Sequence, residues 1–273
     1  MTPNHEMGFW DHAEVLRGVL LRVAAVVLVL MTAFFMAMPY LFDNVILAPC
    51  RGDFVLYRLL DGISVSGFVT EGGRAADFNV NLINIQLASQ FFIHMSTSFW
   101  LAIVFSFPII IYQLWGFVAP GLYEEEKRGV RGAFIAGNAM FFLGVAVGYF
   151  LVFPLTLRFL ADYQLSALVP NQISLDSYMD NFMVLILVMG IIFELPLLAW
   201  LLGKAGILTR RLFSCYRRHA IVALLVLSAV ITPTGDPFTL MVVFLPIYLL
   251  WEISAFTVPA VRKGRSDAIL NNI

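Results

Sequence analysis

Three consecutive carboxylates, Glu124, Glu125 and Glu126, stand ahead of Lys127 and Arg128, just after an apolar run that closes at Pro120. Carboxylates at fixed spacing accept the planar fork of donors that a guanidinium presents. Such a cluster is therefore either a receptor for cationic groups or an ordinary solvated turn. Glu194, in the run GIIFELP, is a lone acid within an apolar stretch. A carboxylate in hydrocarbon either stays protonated or faces a wet cavity, and acids at membrane depth mark substrate or proton paths. The plainer alternative is a protonated Glu194 bonded to the carbonyl of Ile192, which Pro196 leaves without its helical donor. Glu252 lies near the end of the last apolar run, within reach of flanking cations, and Asp236 in TPTGDP has the placement of a turn and helix-cap acid.

Other chemistries find no support in the residue pattern. Neither G-x-x-x-x-G-K-[ST] nor G-x-G-x-x-G occurs, nor H-E-x-x-H, and His5, His12, His94 and His219 are scattered. No metal, nucleotide or other cofactor is expected. An intramembrane hydrolase needs a nucleophile paired with His or Lys at membrane depth, whereas Glu194 offers only an acid. The net charge of −1 comes without a basic tract, which argues against nucleic acid as a partner.

The elements that must carry these groups are membrane helices. Of 273 residues 60% are hydrophobic and only 13% charged, against about 25% charged in soluble domains. The apolar residues fall in blocks long enough to enter a bilayer, so the expectation is an all-α, polytopic membrane protein forming one membrane domain over residues 1–273. Residues 1–22 are polar and then amphipathic, an interfacial helix leading into the first span, with acids that set them apart from a signal peptide. Spans are expected at about 23–42, 91–115, 133–153, 178–202, 219–231 and 238–258. A long loop fills 43–90, in which 54–60 reads as a short helix and 79–87 as either strand or helix start. A second loop is expected from Pro154 to Asp180, and a tail at 259–273. Pro108 is expected to kink the second span, and Gly144 with Gly148 to let a neighbouring helix pack closely. The last two spans are short, 219–231 well below a hydrocarbon core of about 30 Å, so either that hairpin is re-entrant or the bilayer thins around it.

With residues 1–22 inside and six alternating spans, the inside segments hold 2, 3, 5 and 3 Lys or Arg and the outside segments 3, 1 and 0. The positive-inside rule thus favours both termini in the cytoplasm. It places the acidic cluster on the same face, against the local sign of charge. Cys50 and Cys215 then lie on opposite sides and cannot form a disulfide.

Between Phe107 and Arg128 the chain resembles the TatC family, the multi-spanning receptors of the twin-arginine protein translocase. Pro108, Phe117, Pro120, Leu122, Tyr123, Glu126, Lys127 and Arg128 match the family pattern of a proline in the second span followed by F-x-x-P-x-L-Y-x-x-E-[KR]-[KR]. The segment His12 to Arg17 is similar to H-L-x-E-L-R, Phe193, Glu194 and Pro196 to F-E-x-P, and Thr232, Pro233 and Asp236 to a T-P element with a following acid. The sequence departs at Ala13, and at Val15, which stands where the family has its acid; Glu14 is one position earlier. The loop at 43–90 is also longer than the family leads one to expect.

The resemblance implies a receptor for signal peptides bearing paired arginines, in the bacterial inner membrane, built as a concave wall of six helices. It implies Glu126 as the principal contact to the arginine pair and Glu14 as a candidate second acid, with Arg17, Phe117, Pro120 and Tyr123 around them. Glu194 becomes a polar site within the helical wall, and Thr232 with Asp236 part of the docking surface for the single-span partners of TatA and TatB type. Self-association, contact with membrane lipid and drive by the proton gradient are implied in the same way. The expected protein works by binding and not as an enzyme. The rival reading is a proton-coupled secondary transporter using Glu194, although no inverted repeat or pair of interrupted helices is visible.

Overall fold

The computed structural model describes residues 9–63, 78–118, 124–166, 168, 171–204, 206–232 and 234–258, with the side chains of residues 9–13, 61–63, 114–118 and 124–131 outside that description. Backbone N–H and C=O groups find no water in hydrocarbon, so an apolar chain pairs them within helices. The helices run α1 Phe9–Leu41, α2 Val55–Ile63, α3 Ser89–Val118, α4 Glu124–Val147, α5 Phe153–Asp162, α6 Leu175–Ile192, α7 Leu195–Lys204, α8 Arg210–Cys215, α9 Arg217–Ile231 and α10 Pro237–Thr257. Two strands of two residues each, β1 Leu82–Ile83 and β2 Ile173–Ser174, pair in parallel.

Five stretches among the described residues are long and apolar enough to cross a membrane: Glu14–Cys50, Ser89–Gln113, Gly132–Asp162, Leu175–Lys204 and Pro237–Thr257. The fold is all-α and polytopic. The sixth expected span is α9, whose 15 residues reach about 22 Å, short of a hydrocarbon core of about 30 Å.

Several boundaries differ from expectation, each for a local reason. No break separates an interfacial helix from the first span: α1 is one helix of 33 residues. The expected loop before the third span is mostly helical, since α4 begins at Glu124. Acids in a first turn are favoured by the unpaired N–H groups there. The third span does not stop at Phe153 but continues through a π-helical turn at Gly148–Val152 into α5, which takes the place of the first part of the expected second loop. Pro154 is tolerated because it sits in the first turn of α5, where its missing donor costs no helical bond. The fourth span is two helices, parted at Phe193 and Glu194. Pro108, where a kink is expected, lies inside α3, which runs as one helix from Ser89 to Val118.

By its internal contacts the chain divides into two compact units, one formed by Met1–Ala48 with Asn84–Asn138, the other by Pro49–Ile83 with Ala139–Ile273. The first unit is chiefly α1 packed along α3. Pro39 lies inside α1 and leaves the carbonyl of Phe35 without a helical donor. His94 of α3 fills the gap: its Nε2 lies 2.8 Å from that oxygen, so Nε2 carries the proton, and its ring stacks on Phe35 at 3.9 Å.

The second unit holds an aromatic core. Phe153 meets Tyr178 and Phe182 edge to face at 5.1 and 5.0 Å, the offset arrangement that ring quadrupoles favour. The segment between the first two spans is structured where it is described. The expected short helix is α2; Tyr57, fully buried, places its hydroxyl 3.0 Å from the carbonyl of Pro49 and 3.2 Å from that of Pro154. The ambiguous stretch 79–87 resolves into strand at Leu82–Ile83, pinned to Ile173–Ser174. Arg158 is buried beneath Tyr57 and Phe78, its guanidinium carbon 5.2 and 5.6 Å from the two ring centres. Burial pushes the Tyr57 hydroxyl above its ordinary range against the opposing pull of that guanidinium.

Candidate functional site

The residues singled out from the sequence fall into three places. Glu14 lies on the second turn of α1 and Arg17 on the third, both exposed. Glu14 forms no ion pair among the described residues. Phe117 belongs to the last turn of α3 and Glu126 to the first turn of α4, with backbones described and side chains not. Pro120 and Tyr123 lie outside the described residues. The backbone of Glu126 belongs to the same compact unit as Glu14, although the two lie far apart in sequence.

Missed from the sequence was the contact that ties α1 to α3 two turns along from Glu14. Arg22 donates through Nη1 to Oε1 of Gln113 at 3.1 Å and through Nε to the carbonyl of Gly18 at 3.1 Å. The available signal was an Arg at the edge of one span and an amide near the end of the next.

The second place is the break at Phe193 and Glu194. Pro196 has no N–H to give to the carbonyl of Ile192, so α6 ends there and α7 restarts at Leu195. Tighter bonds close the turn, from Phe193 N–H to the Met189 carbonyl at 3.1 Å and from Glu194 N–H to that of Ile191 at 3.1 Å. The Glu194 side chain is half-buried, and its Oε1 is buried without a hydrogen-bond partner. The bond to Ile192 that would have made it a satisfied structural acid is not formed by this oxygen. A buried acceptor left unmade costs about 1–3 kcal/mol, which the local structure carries. The other break-side contact is Thr257, whose hydroxyl donates to the Pro196 carbonyl at 3.2 Å.

The third place is the turn between α9 and α10. Thr232 is 4% exposed and its hydroxyl donates back to the Ser228 carbonyl at 3.0 Å, so this side chain closes the end of α9. Asp236 caps α10: Oδ1 accepts from the Thr239 N–H at 2.7 Å and Oδ2 from the Thr234 hydroxyl at 2.6 Å. Partial burial raises the Asp236 carboxyl, but the donors from Thr234 and Thr239 outweigh it and hold the group below the usual carboxylate range. A carboxyl held low stabilises the fold above its unfolded pKa and loses that effect as pH falls through its folded value. Asp236→Ala is expected to lower stability in detergent by about 1 kcal/mol at pH 7, with the gap to the parent protein closing below about pH 4. Thermal midpoints across that range measure it.

Glu252 behaves as expected from its position. Arg217 Nε lies 2.7 Å from its Oε1, and the Tyr248 hydroxyl donates to the same oxygen at 2.8 Å. Cys50 and Cys215 are both free thiols.

Long apolar helices, an intramembrane acid at a broken span and a second acid set on a two-helix unit define a polytopic membrane protein with polar sites held by helices. Its relatives narrow this class to one. The family model described as "Sec-independent protein translocase protein (TatC)" matches residues 11–246, and the chain belongs to that family. It is similar to the Sec-independent protein translocase protein TatC of a Blattabacterium species, 31% identical over 92% of this chain and 95% of the relative. A Helicobacter pylori TatC is 37% identical over 68% of this chain and 74% of the relative. Among solved structures, a crystal structure of the twin-arginine translocase receptor TatC superimposes with a TM-score of 0.69 at 29% identity, covering 90% of this chain and 97% of that one. Membership places this multi-pass membrane protein in Sec-independent protein translocation.

Proposed function

We propose that this protein is the receptor of the twin-arginine system, binding paired-arginine signal peptides of precursor proteins and nucleating the translocation complex. The observation that carries the reading is the exposed carboxylate of Glu14, which has no ion pair among the described residues, on the same compact unit as the first turn of α4, where Glu126 stands. Two adjacent guanidiniums need two acids at a fixed separation, since each pairs best through two parallel N–H bonds to one carboxylate. Glu126 takes the principal contact and Glu14 the second, with Arg17 beside it and Phe117, Pro120 and Tyr123 supplying apolar and cation–π surface.

In this reading both termini face the cytoplasm of a bacterium and the protein lies in its inner membrane, as the excess of Lys and Arg in the expected inside segments argues. Partners are single-span subunits of TatA and TatB type and further copies of the receptor. They dock along the short α9 and the full-length α10, where Val222, Val226, Met241 and Leu245 stand exposed. Thr232 and Asp236 serve that surface indirectly, by closing α9 and starting α10. The proton gradient supplies the energy. Glu194, with an oxygen that has no partner in the broken span, offers a polar contact to a helix packed against it.

Site-specific crosslinking tests the proposal: photoreactive residues at positions 117 and 126 are expected to capture a twin-arginine precursor and not its twin-lysine counterpart. Equal capture of both removes the receptor reading. The broken span with its acid is also what a proton-coupled transporter would use, but such folds pair two interrupted helices. Here α1, α3 and α10 each contain a proline and run unbroken. Proton-linked solute uptake into vesicles would favour that second reading.

A further inference from the structure

Glu14, Gly18 and Arg22 are spaced four apart and so share one stripe of α1. Side chains on a helix lean toward its N-terminus, and Arg22 does so far enough for its Nε to reach the Gly18 carbonyl at 3.1 Å. A Cβ built at Gly18 would meet Arg22 Nη2 at 3.5 Å, an ordinary contact, so the guanidinium lies close along this face of α1. The opposite edge of the guanidinium, through Nη1, donates to Gln113 Oε1 on α3 at 3.1 Å. The planar group is thus held at two edges, by the backbone of α1 and by the neighbouring helix. At the other end of the same two helices, His94 holds the Phe35 carbonyl. These two contacts tie α1 to α3 at Arg22 and at Phe35, which constrains the rotation of α1 about its own axis and with it the face of the helix on which Glu14 stands, two turns ahead of Arg22.

We infer that Gln113 and Arg22 are a positioning pair that sets how Glu14 meets an incoming pair of guanidiniums, a role that rests on the signal-peptide reading above. Two consequences follow from the chemistry. A fork-to-carboxylate contact is directional, so turning Glu14 by part of a helical step degrades it far more than it degrades attraction to a lysine ammonium, which acts as a point charge. The held Arg22 is also a fixed positive charge on the stripe of Glu14, with no acid of its own among the described residues. It limits by like-charge repulsion how far along α1 an arriving cation can settle. Without Gln113, the guanidinium swings and both constraints relax.

The experiment compares the full-length protein in lipid nanodiscs with its Gln113→Leu and Gln113→Glu variants. The probes are two fluorescent synthetic peptides, one with paired arginines before an apolar segment and one with paired lysines. For Gln113→Leu the expected result is about tenfold weaker binding of the arginine peptide with little change for the lysine peptide, so that the preference collapses. Gln113→Glu keeps an acceptor for Arg22 and is expected to retain the preference. A purely structural role would lower both peptides alike, through the fraction of folded protein, and leave their ratio intact. An unchanged ratio in a Gln113→Leu protein that melts with the parent overturns the positioning role. A parent protein with no preference for arginine overturns the signal-peptide reading itself. Where the leucine variant does not assemble, Gln113→Asn, one methylene too short to reach Arg22, carries the same comparison.

Discussion

Glu126→Ala is expected to abolish export of a twin-arginine reporter while the protein stays in the membrane at its normal level. The loss is large because the acid would hold a guanidinium partly removed from water. A hydrogen bond to a charged group is worth about 1.5–3 kcal/mol, and two of them are lost together. Each 1.4 kcal/mol is about a factor of ten in affinity, so a hundredfold or greater loss is the expected scale. The fold is expected to survive, because an acid in the first turn of a helix such as α4 contributes only about 0.3–1 kcal/mol through the unpaired N–H groups there. Glu124→Ala and Glu125→Ala, which remove charge from the same turn but fall outside the family pattern, are expected to leave export within about twofold, as surface charges usually do. The exported fraction of the reporter, set against the amount of receptor in the same membranes, measures all three. Normal export by Glu126→Ala would remove this residue from the site.

The contrast among these three neighbours shows what sequence reading supplied. Charge and hydropathy gave the membrane class, but they treat Glu124, Glu125 and Glu126 alike; only the family pattern separates the third. The spans were legible because hydrocarbon forces long uncharged runs into helices. Asp236 and Glu252 were legible as well, since a turn acid before Pro237 caps a helix and an acid near the end of a span reaches a flanking cation, which proves to be Arg217. Helix ends were less so. Pro154 and Pro108 look alike in a sequence, yet one begins a helix after a π-helical turn and the other sits inside an unbroken α3. The break at Phe193 and Glu194 shows the opposite outcome for a proline, Pro196, which ends one helix where Pro108 does not. Most other pairings across sequence distance were hidden. Nothing in a single chain announces that Arg22 meets Gln113, that His94 satisfies the carbonyl freed by Pro39, or that Leu82–Ile83 pairs with Ile173–Ser174.

Gly144→Ala carries the largest expected effect on the fold, and through it on Glu194. A Cβ built at Gly144 falls 2.5 Å from the carbonyl oxygen of Met189 and 2.8 Å from Cβ and Cγ of Phe193. The nearest obstacle is backbone, which cannot rotate aside, so α6 must move. One turn on, a Cβ at Gly148 falls 3.0 Å from Cα of Ile186, so α4 and the π-helical turn that follows it approach α6 backbone to backbone, as the GxxxG spacing suggested. Overpacking of this kind costs about 1–3 kcal/mol, enough to lower the thermal midpoint in detergent by several degrees. Because the clash falls on Phe193, the displacement passes directly to the turn that carries Glu194. A cysteine introduced at position 194 should therefore change its reaction rate with a thiol reagent when Gly144→Ala is added. Gly190→Ala is expected to cost less, since its nearest neighbours are side-chain atoms of Phe141 and Val145, both at 2.9 Å, and side chains can yield. Gly132→Ala, on the same α4 helix but with nothing within 4 Å of its Cβ, is expected to be neutral or slightly stabilising, because alanine favours a helix over glycine by about 1 kcal/mol. If Gly144→Ala melts with the parent, the close approach of these two helices is not what fixes the broken span.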